Sequence, residues 1–218
     1  KGYGIMFEKE KAKVLQTALA IKENRLISLS GGNVSCQVAE NRYLVTPSGM
    51  LYEQMVPEDI CLIDAQCKVI EGRRKPSSDS AALVYMFQNM KNVRAIIHTH
   101  QPWATAAGFV TDCLPEFLVT IIDACHNPVN VAPFTPSSDI GMGVLAAQYG
   151  TDASAVILKH HGVLAYGEDL EEALYAAVYL EESAKTWMIA KAAGADIPPI
   201  EPALIAQEKE GWKSYGQV

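Results

Sequence analysis

Two histidines separated by one residue, His98 and His100, end an apolar run, RAIIHTH, that is typical of a buried strand. Side chains two apart on a strand point to the same face of the sheet, so both imidazoles can reach one point in space. Imidazole nitrogen is a common ligand for zinc and other transition metals, and the pair therefore indicates a metal site. The alternative is a structural role, in which hydrogen bonds satisfy both rings.

A second histidine pair, His160 and His161, ends another apolar run, AVILK, and either ring could supply a third imidazole. A carboxylate, Asp79, lies where a helix is predicted to begin. Three nitrogen ligands with an acid or a water molecule are typical of an open catalytic zinc site. Together these residues predict metal-dependent catalysis more strongly than any one of them alone.

Three short loops have the composition of anion-binding turns: GGN (31–33), PSG (47–49) and PSS (76–78). They offer hydroxyls and free backbone N–H groups, and the third precedes a predicted helix whose dipole favours negative charge. Ordinary turn formation is the alternative explanation for any single loop. The chain lacks the GxxxxGK[ST] and GxGxxG patterns of nucleotide sites, so a small phosphorylated metabolite is the better candidate ligand.

The elements that must position these residues follow from periodicity and from turn residues. We predict helices over 7–24, from Ser80, from Pro102 and over 168–194, the last closed by Gly194. We predict strands over 43–46 and 94–100, and strand pairs over 59–72 and 155–167, the latter turning at Gly162. Residues 28–35 are interpreted as a turn-rich loop and the C-terminal tail as irregular. Strands interleaved with helices predict an α/β fold with a mixed sheet covered on both faces.

Composition and charge limit the classes of protein to consider. The 218 residues suffice for one buried core, and we predict a single domain over 6–218, with residues 1–5 a leader or cloning remnant. A net charge of −7 argues against nucleic acid or an anionic membrane as partner. No apolar run approaches the roughly 18 residues of a membrane span. The five cysteines form no CxxC pair, which together with the lack of a signal peptide predicts a cytoplasmic protein with reduced thiols.

The segments GGNVS, TPSG, KPSSD, HTH and HHG, in this order, resemble the zinc-dependent class II aldolase and sugar-phosphate epimerase family, which also includes the adducin head domains. The resemblance implies a three-layer α/β/α fold with a mixed, largely antiparallel central sheet, and a homotetramer with active sites at subunit interfaces. It implies Zn²⁺ held by His98, His100 and His161, because His161 directly precedes the glycine, with His160 a neighbour. The residues it implies for the substrate phosphate are Gly32, Asn33, Ser48, Gly49, Ser77 and Ser78.

Within this family, three residues favour the L-ribulose-5-phosphate 4-epimerase branch over the L-fuculose-1-phosphate aldolase branch. The aldolases carry a catalytic Glu where this chain has Asp79, and the epimerases carry an Asp that binds zinc. Asp123 follows Pro115 at the spacing of the epimerase acid, and Tyr215 matches the epimerase's C-terminal tyrosine from the next subunit. Thr46 is closer to the aldolases, which have no Lys there.

Both branches imply the same chemistry, cleavage of the C3–C4 bond of a phosphorylated ketose with metal stabilisation of the charge that develops. An aldolase releases the aldehyde, whereas an epimerase turns it and re-forms the bond, with Asp123 and Tyr215 exchanging a proton on opposite faces. Asp79 remains open as metal ligand or acid/base. Asp123 could instead be a loop or cap carboxylate, and Tyr215 part of an inert tail. A non-catalytic, adducin-like scaffold and another divalent ion also remain open.

Overall fold

The structure is a computed structural model that describes residues 6–150 and 152–214, so Tyr215 and residues 1–5 lie outside the described part. The helices described are α1 (Glu8–Glu23), α2 (Ser80–Asn89), α3 (Pro102–Ala107), α4 (Val119–Cys125), α5 (Gly141–Tyr149), α6 (Leu170–Ala192) and α7 (Pro202–Trp212). The strands described are β1 (Gly32–Ala39), β2 (Arg42–Val45), β3 (Cys61–Asp64), β4 (Val69–Glu71), β5 (Ala95–Thr99), β6 (Cys113–Leu114), β7 (Val129–Ala132), β8 (Ala155–Leu158) and β9 (Gly162–Gly167).

All nine of these strands join one sheet in the order β4-β3-β2-β1-β5-β9-β8-β7-β6. The β7–β8 pair is parallel and the other described pairs are antiparallel. Strand β5, which contains His98 and ends one residue before His100, lies at the centre of this order, between β1 and β9. The predicted mixed, largely antiparallel sheet is therefore confirmed.

Apolar side chains cover both faces of the sheet and form two separate cores. The first core joins the sheet to α1, α3, α4 and α6, and the second joins it to α2 and α5. Residues of β5 alternate between them, since Ala95 and Ile97 belong to the first core and Ile96 to the second. The arrangement confirms the predicted three-layer α/β/α fold, with one helical layer on each face.

Three local predictions are wrong. The turn-rich segment 28–35 becomes regular at Gly32, where β1 begins, because pairing with β2 and β5 on both sides outweighs the low strand propensity of Gly, Asn and Ser. Gly162 is the first residue of β9, and the turn is formed by residues 159–161. The tail contains α7, whose start has Pro at its first position, a favoured place for proline.

Candidate metal centre

The alternation of β5 decides where the two histidines point. Because Ile96 lies in the second core, His98 and His100 face the same side as α2, whereas Thr99 faces α6 on the other side. His98 is buried and pairs with Asn33 of β1 and Leu164 of β9. The two imidazoles therefore emerge at the end of a strand that is fixed on both edges.

The neighbouring strands approach the end of β5 so closely that they require glycine. A Cβ at Gly32 would lie 2.6 Å from the carbonyl oxygen of His98, and a Cβ at Gly162 would lie 2.1 Å from that of Thr99. Both contacts are with backbone, which cannot turn aside as a side chain can. The glycines of the GGN and HHG motifs thus allow β1 and β9 to hold the histidine segment from either side.

The turn between β8 and β9 separates the two histidines of the second pair. His160 adopts a left-handed conformation (φ 62°) and is exposed, with its ring 4.9 Å from that of Phe109. His161 faces the other pair instead, with ring centroids 4.9 Å from His98 and 5.2 Å from His100. The structure thus brings together the three histidines that the family resemblance implies.

The nitrogen atoms of this triad have a geometry that fits a metal ion. One ligand atom from each of His98, His100 and His161 lies within 4.8 Å of the others, and the Nε2 atoms of His98 and His100 are 3.2 Å apart. The Nδ1 of His98 is 2.9 Å from the carbonyl oxygen of Val163, which can only accept, so Nδ1–H donates and Nε2 is free to bind metal. This is the usual outer partner of a zinc-binding histidine.

The three histidines also have the protonation state that metal binding requires. Burial, with the adjacent His100 and His161, lowers the pKa of His98 from 6.5 to about 3. Burial likewise lowers the pKa values of His100 and His161, and the Asp79 carboxylate offsets part of the fall in each. All three rings are therefore neutral at physiological pH, the form that binds metal.

The stability of the metal-free protein is expected to fall as the pH decreases from 7 to 5. The unfolded state protonates His98 near pH 6.5, whereas the folded state keeps it neutral down to about pH 3, so the unfolded state binds more protons between these values. This group alone should lower the free energy of unfolding by about 2 kcal/mol at pH 5. Urea unfolding of chelator-treated wild type and His98→Gln at pH 7 and pH 5 measures the effect. An equal decrease in the free energy of unfolding in both proteins would contradict it.

Asp79 and the predicted phosphate loops lie around the triad. Asp79 precedes α2, and its Oδ2 accepts a hydrogen bond of 2.8 Å from Nδ2 of Asn33. The PSG and PSS loops are joined through their backbones, because Ser48 N donates to Lys75 O (2.9 Å) and Ser77 N donates to Thr46 O (3.1 Å). The PSG and PSS loops therefore lie side by side, and the second continues directly into the N-terminus of α2.

Histidines, carboxylate and loops share one cleft of about 180 Å³. The residues that line it are Ser30, Gly31, Gly32, Pro47, Ser48, Gly49, Ser77, Ser78, Asp79, His98, His100, Ser137, Ser138 and His161. Asn33 is buried behind this lining, where its Oδ1 has no hydrogen-bond partner among the described residues. The cleft thus brings the candidate metal ligands and the predicted anion-binding loops together.

Ser137 and Ser138 are cleft residues that the sequence interpretation missed. Their signal is a second PSSD tetrapeptide, residues 136–139, which repeats the PSSD of 76–79. Each copy precedes a helix, α2 or α5, and these two helices pack together in the second core. The repeat was visible in the sequence, but the packing that brings both copies to one cleft was not.

Asp123, one of the two predicted proton-transfer residues, is not among the described residues that line this cleft. Asp123 lies on α4, buried, and α7 packs against that helix. Burial raises the pKa of Asp123, as does the nearby Glu208 carboxylate, and its Oδ1 has no hydrogen-bond partner within the described part of the chain. Asp123 is thus in a helix rather than in the loop considered as an alternative, and Tyr215 is outside the described residues.

Comparison with known proteins decides the family. The family described as class II aldolase and adducin N-terminal domain matches residues 12–188. The chain belongs to this family. Its relatives include L-ribulose-5-phosphate 4-epimerase UlaF of Salmonella paratyphi A, 28% identical over 95% of this chain and 98% of that protein. They also include 5-deoxy-D-ribulose 1-phosphate aldolase of Bacillus thuringiensis serovar kurstaki, which is 28% identical over 98% of this chain and 100% of that protein.

Solved structures place this class II aldolase family member among enzymes of the same fold. An L-fuculose 1-phosphate aldolase superposes with a TM-score of 0.88 at 27% identity, covering 97% of this chain and 100% of the aldolase. The predicted fold and the predicted enzyme of the aldolase and sugar-phosphate epimerase kind are thereby confirmed. None of the helices in residues 6–150 and 152–214 is long and apolar enough to cross a membrane.

Proposed function

We propose that this protein is a metal-dependent L-ribulose-5-phosphate 4-epimerase that acts in the cytoplasm as a homotetramer. The observation that carries the proposal is the placement of Asp79 beside three neutral histidines, in one cleft with the predicted phosphate loops. The 28% identical epimerase of Salmonella supports the same reaction. A phosphorylated ketose is the substrate class that this combination of metal ligands and anion-binding loops fits.

Each part of the cleft has a proposed task. His98, His100, His161 and Asp79 would hold Zn²⁺ or another divalent cation, which when bound supplies Lewis acidity toward the oxygens of the ketose. The residues assigned to the substrate phosphate are Gly32, Asn33, Ser48, Gly49, Ser77 and Ser78, and the serines among them offer hydroxyls to it. The N-terminus of α2, directly after these serines, adds a positive dipole end.

The second PSSD segment bears on which ketose is bound. Ser137 and Ser138 belong neither to the phosphate loops nor to the histidine set, so we assign them to the non-phosphorylated end of the substrate. In L-ribulose 5-phosphate this end is a hydroxymethyl group, whereas in L-fuculose 1-phosphate and 5-deoxy-D-ribulose 1-phosphate it is a methyl group. Serine hydroxyls can hydrogen-bond to the first and gain nothing from the second. This difference favours the ribulose substrate.

Inversion at C4 needs a proton donor and acceptor on each face of the substrate, and we assign these roles to Asp123 and Tyr215. Burial raises the pKa of Asp123, as does the nearby Glu208 carboxylate, so the protonated form of this carboxyl group is more accessible than that of an exposed aspartate. Because Asp123 lies outside the cleft of its own chain, the assignment requires active sites at subunit interfaces.

The second candidate is a class II aldolase that releases its aldehyde. The position of Asp123 outside the histidine cleft favours it, because cleavage needs no second acid/base group on the opposite face. The 5-deoxy-D-ribulose 1-phosphate aldolase relative is as similar to this chain as the epimerase. The two candidates share the metal, the phosphate loops and the bond that breaks.

The variant Asp123→Asn tests the epimerase assignment. With L-ribulose 5-phosphate we expect turnover to fall by about a hundredfold or more, since the amide cannot exchange the C4 hydroxyl proton, while metal content stays unchanged. Asp196→Asn, the same substitution at an exposed carboxylate, is the control and should keep wild-type turnover. Wild-type turnover in Asp123→Asn would exclude this residue from proton transfer.

A further inference from the structure

The chain directly after the histidine pair is fixed to α6 by a buried polar side chain, Gln101. Its Oε1 accepts a hydrogen bond of 2.6 Å from Oγ1 of Thr99, and its Nε2 donates to the carbonyl oxygen of Ala177 on α6 (3.1 Å). Thr99 and Gln101 are both fully buried on the side of the sheet opposite to the imidazoles. Successive residues of this segment therefore alternate in direction. His98 and His100 point toward the metal site, and Thr99 and Gln101 point toward α6.

One helical turn beyond Ala177, Glu181 holds the next part of the same segment. Its two carboxylate oxygens accept hydrogen bonds of 2.9 Å from the backbone N–H groups of Trp103 and Ala104. These are donors in the first turn of α3, which have no partners within their own helix. Glu181 is partly buried, and these charge-assisted bonds replace water that its carboxylate loses there.

His100 depends on this backbone more than His98 does. The His98 ring is held by the carbonyl of Val163, but within the described residues the His100 ring has no hydrogen bond to a backbone group or carboxylate. Only Gln101 and Pro102 separate it from the two residues that Glu181 binds. The direction of the His100 ring is therefore set by the path of the chain between β5 and α3.

We propose that Glu181 is a positioning residue for the metal centre, acting through the first turn of α3 to hold His100 where a metal ion can bind it. Glu181 contacts neither the histidines nor the cleft, and its effect is on the geometry of a ligand. This inference rests on the metal-dependent function proposed above. Groups that hydrogen-bond directly to a metal ligand usually change metal affinity by about 10- to 100-fold when removed, and we expect an effect in this range from a residue that fixes a ligand through its backbone.

The test is Glu181→Gln in the full chain, with Zn²⁺ affinity measured by competition with a chelator dye and Co²⁺ absorption recorded as a report on ligand geometry. Glutamine keeps the size but replaces one acceptor oxygen with an NH₂ group that opposes a backbone N–H. We expect the Zn²⁺ dissociation constant to rise by about 10- to 100-fold and the Co²⁺ bands to weaken, with unchanged far-ultraviolet circular dichroism. Glu182→Gln, the exposed neighbouring position, should bind like wild type.

Two results would overturn the inference. Zn²⁺ binding within about twofold of wild type in folded Glu181→Gln would leave Glu181 with a purely structural role. If that variant does not fold, Glu181→Asp, which keeps the charge but shortens its reach, should show an intermediate loss of affinity, and wild-type affinity there has the same meaning. A wild-type chain that binds neither Zn²⁺ nor Co²⁺ would overturn the proposed metal centre as well, so the two failures are distinguishable.

Discussion

Replacing His161 with asparagine is expected to abolish stable Zn²⁺ binding and to lower turnover by about a thousandfold or more. His161 is one of the three imidazoles whose nitrogen atoms lie within 4.8 Å of one another, and its loss leaves only the nitrogen ligands of His98 and His100. Asparagine is too short to return a donor atom to the same point. Metal content by atomic absorption after dialysis and turnover of the phosphorylated ketose measure the two effects.

The sequence provides a matched control in the adjacent residue. His160 is exposed, contacts Phe109 rather than the triad and has a left-handed backbone that asparagine tolerates well. His160→Asn therefore makes the same chemical change one residue away and should retain metal. Loss of metal in His160→Asn with retention in His161→Asn would reverse the ligand assignment.

Replacing Asp79 with asparagine is expected to lower turnover by about a hundredfold or more and to weaken Zn²⁺ binding by at least about tenfold. The asparagine Oδ1 can still accept the hydrogen bond from Asn33, so the local structure should persist while the negative charge is lost. Calorimetry of the apoprotein with Zn²⁺, together with turnover, separates the two possible roles. A metal ligand loses both affinity and turnover, and an acid/base group loses turnover alone.

The second PSSD segment supplies the control for this variant. Asp139 accepts a hydrogen bond of 2.6 Å from the backbone N–H of Gly141, and Asp139→Asn removes a charge beside the same cleft without removing that acceptor. Its Zn²⁺ affinity should remain within about twofold of wild type, because Asp139 is neither an assigned metal ligand nor a hydrogen-bond partner of one. Unchanged Zn²⁺ affinity in Asp79→Asn would instead make Asp79 the acid/base group of an aldolase.

Local pattern was sufficient to predict several elements and the pairing of His98 with His100, whereas the choice of His161 over His160 came from the family resemblance. The apolar run before His98 and the two-residue spacing to His100 predict a buried strand with both rings on one face, and the structure has this arrangement in β5. Helices α1, α2 and α6 follow from apolar periodicity and from their polar or glycine ends. The hydrophobic periodicity of a strand or helix depends only on residues near one another in the sequence, so these elements can be predicted without knowledge of the fold.

Features that depend on distant contacts could not be predicted in this way. The Gly32–Ser35 segment has turn-forming residues, yet strands on both sides make it β1. Glu181 lies 78 residues from Trp103, and nothing local in either segment indicates their hydrogen bond. The burial of Asp123 against α7 likewise depends on two helices that are separated by most of the C-terminal half. Such pairings arise from tertiary packing, which overrides local preference.

The central claim is epimerisation of a phosphorylated pentulose in this metal cleft, and NMR of the zinc-loaded protein with L-ribulose 5-phosphate tests it most directly. We predict conversion to D-xylulose 5-phosphate without release of an aldehyde, and loss of that conversion in His161→Asn. An unchanged spectrum, together with cleavage of L-fuculose 1-phosphate or 5-deoxy-D-ribulose 1-phosphate to an aldehyde and dihydroxyacetone phosphate, would contradict the epimerase and establish an aldolase.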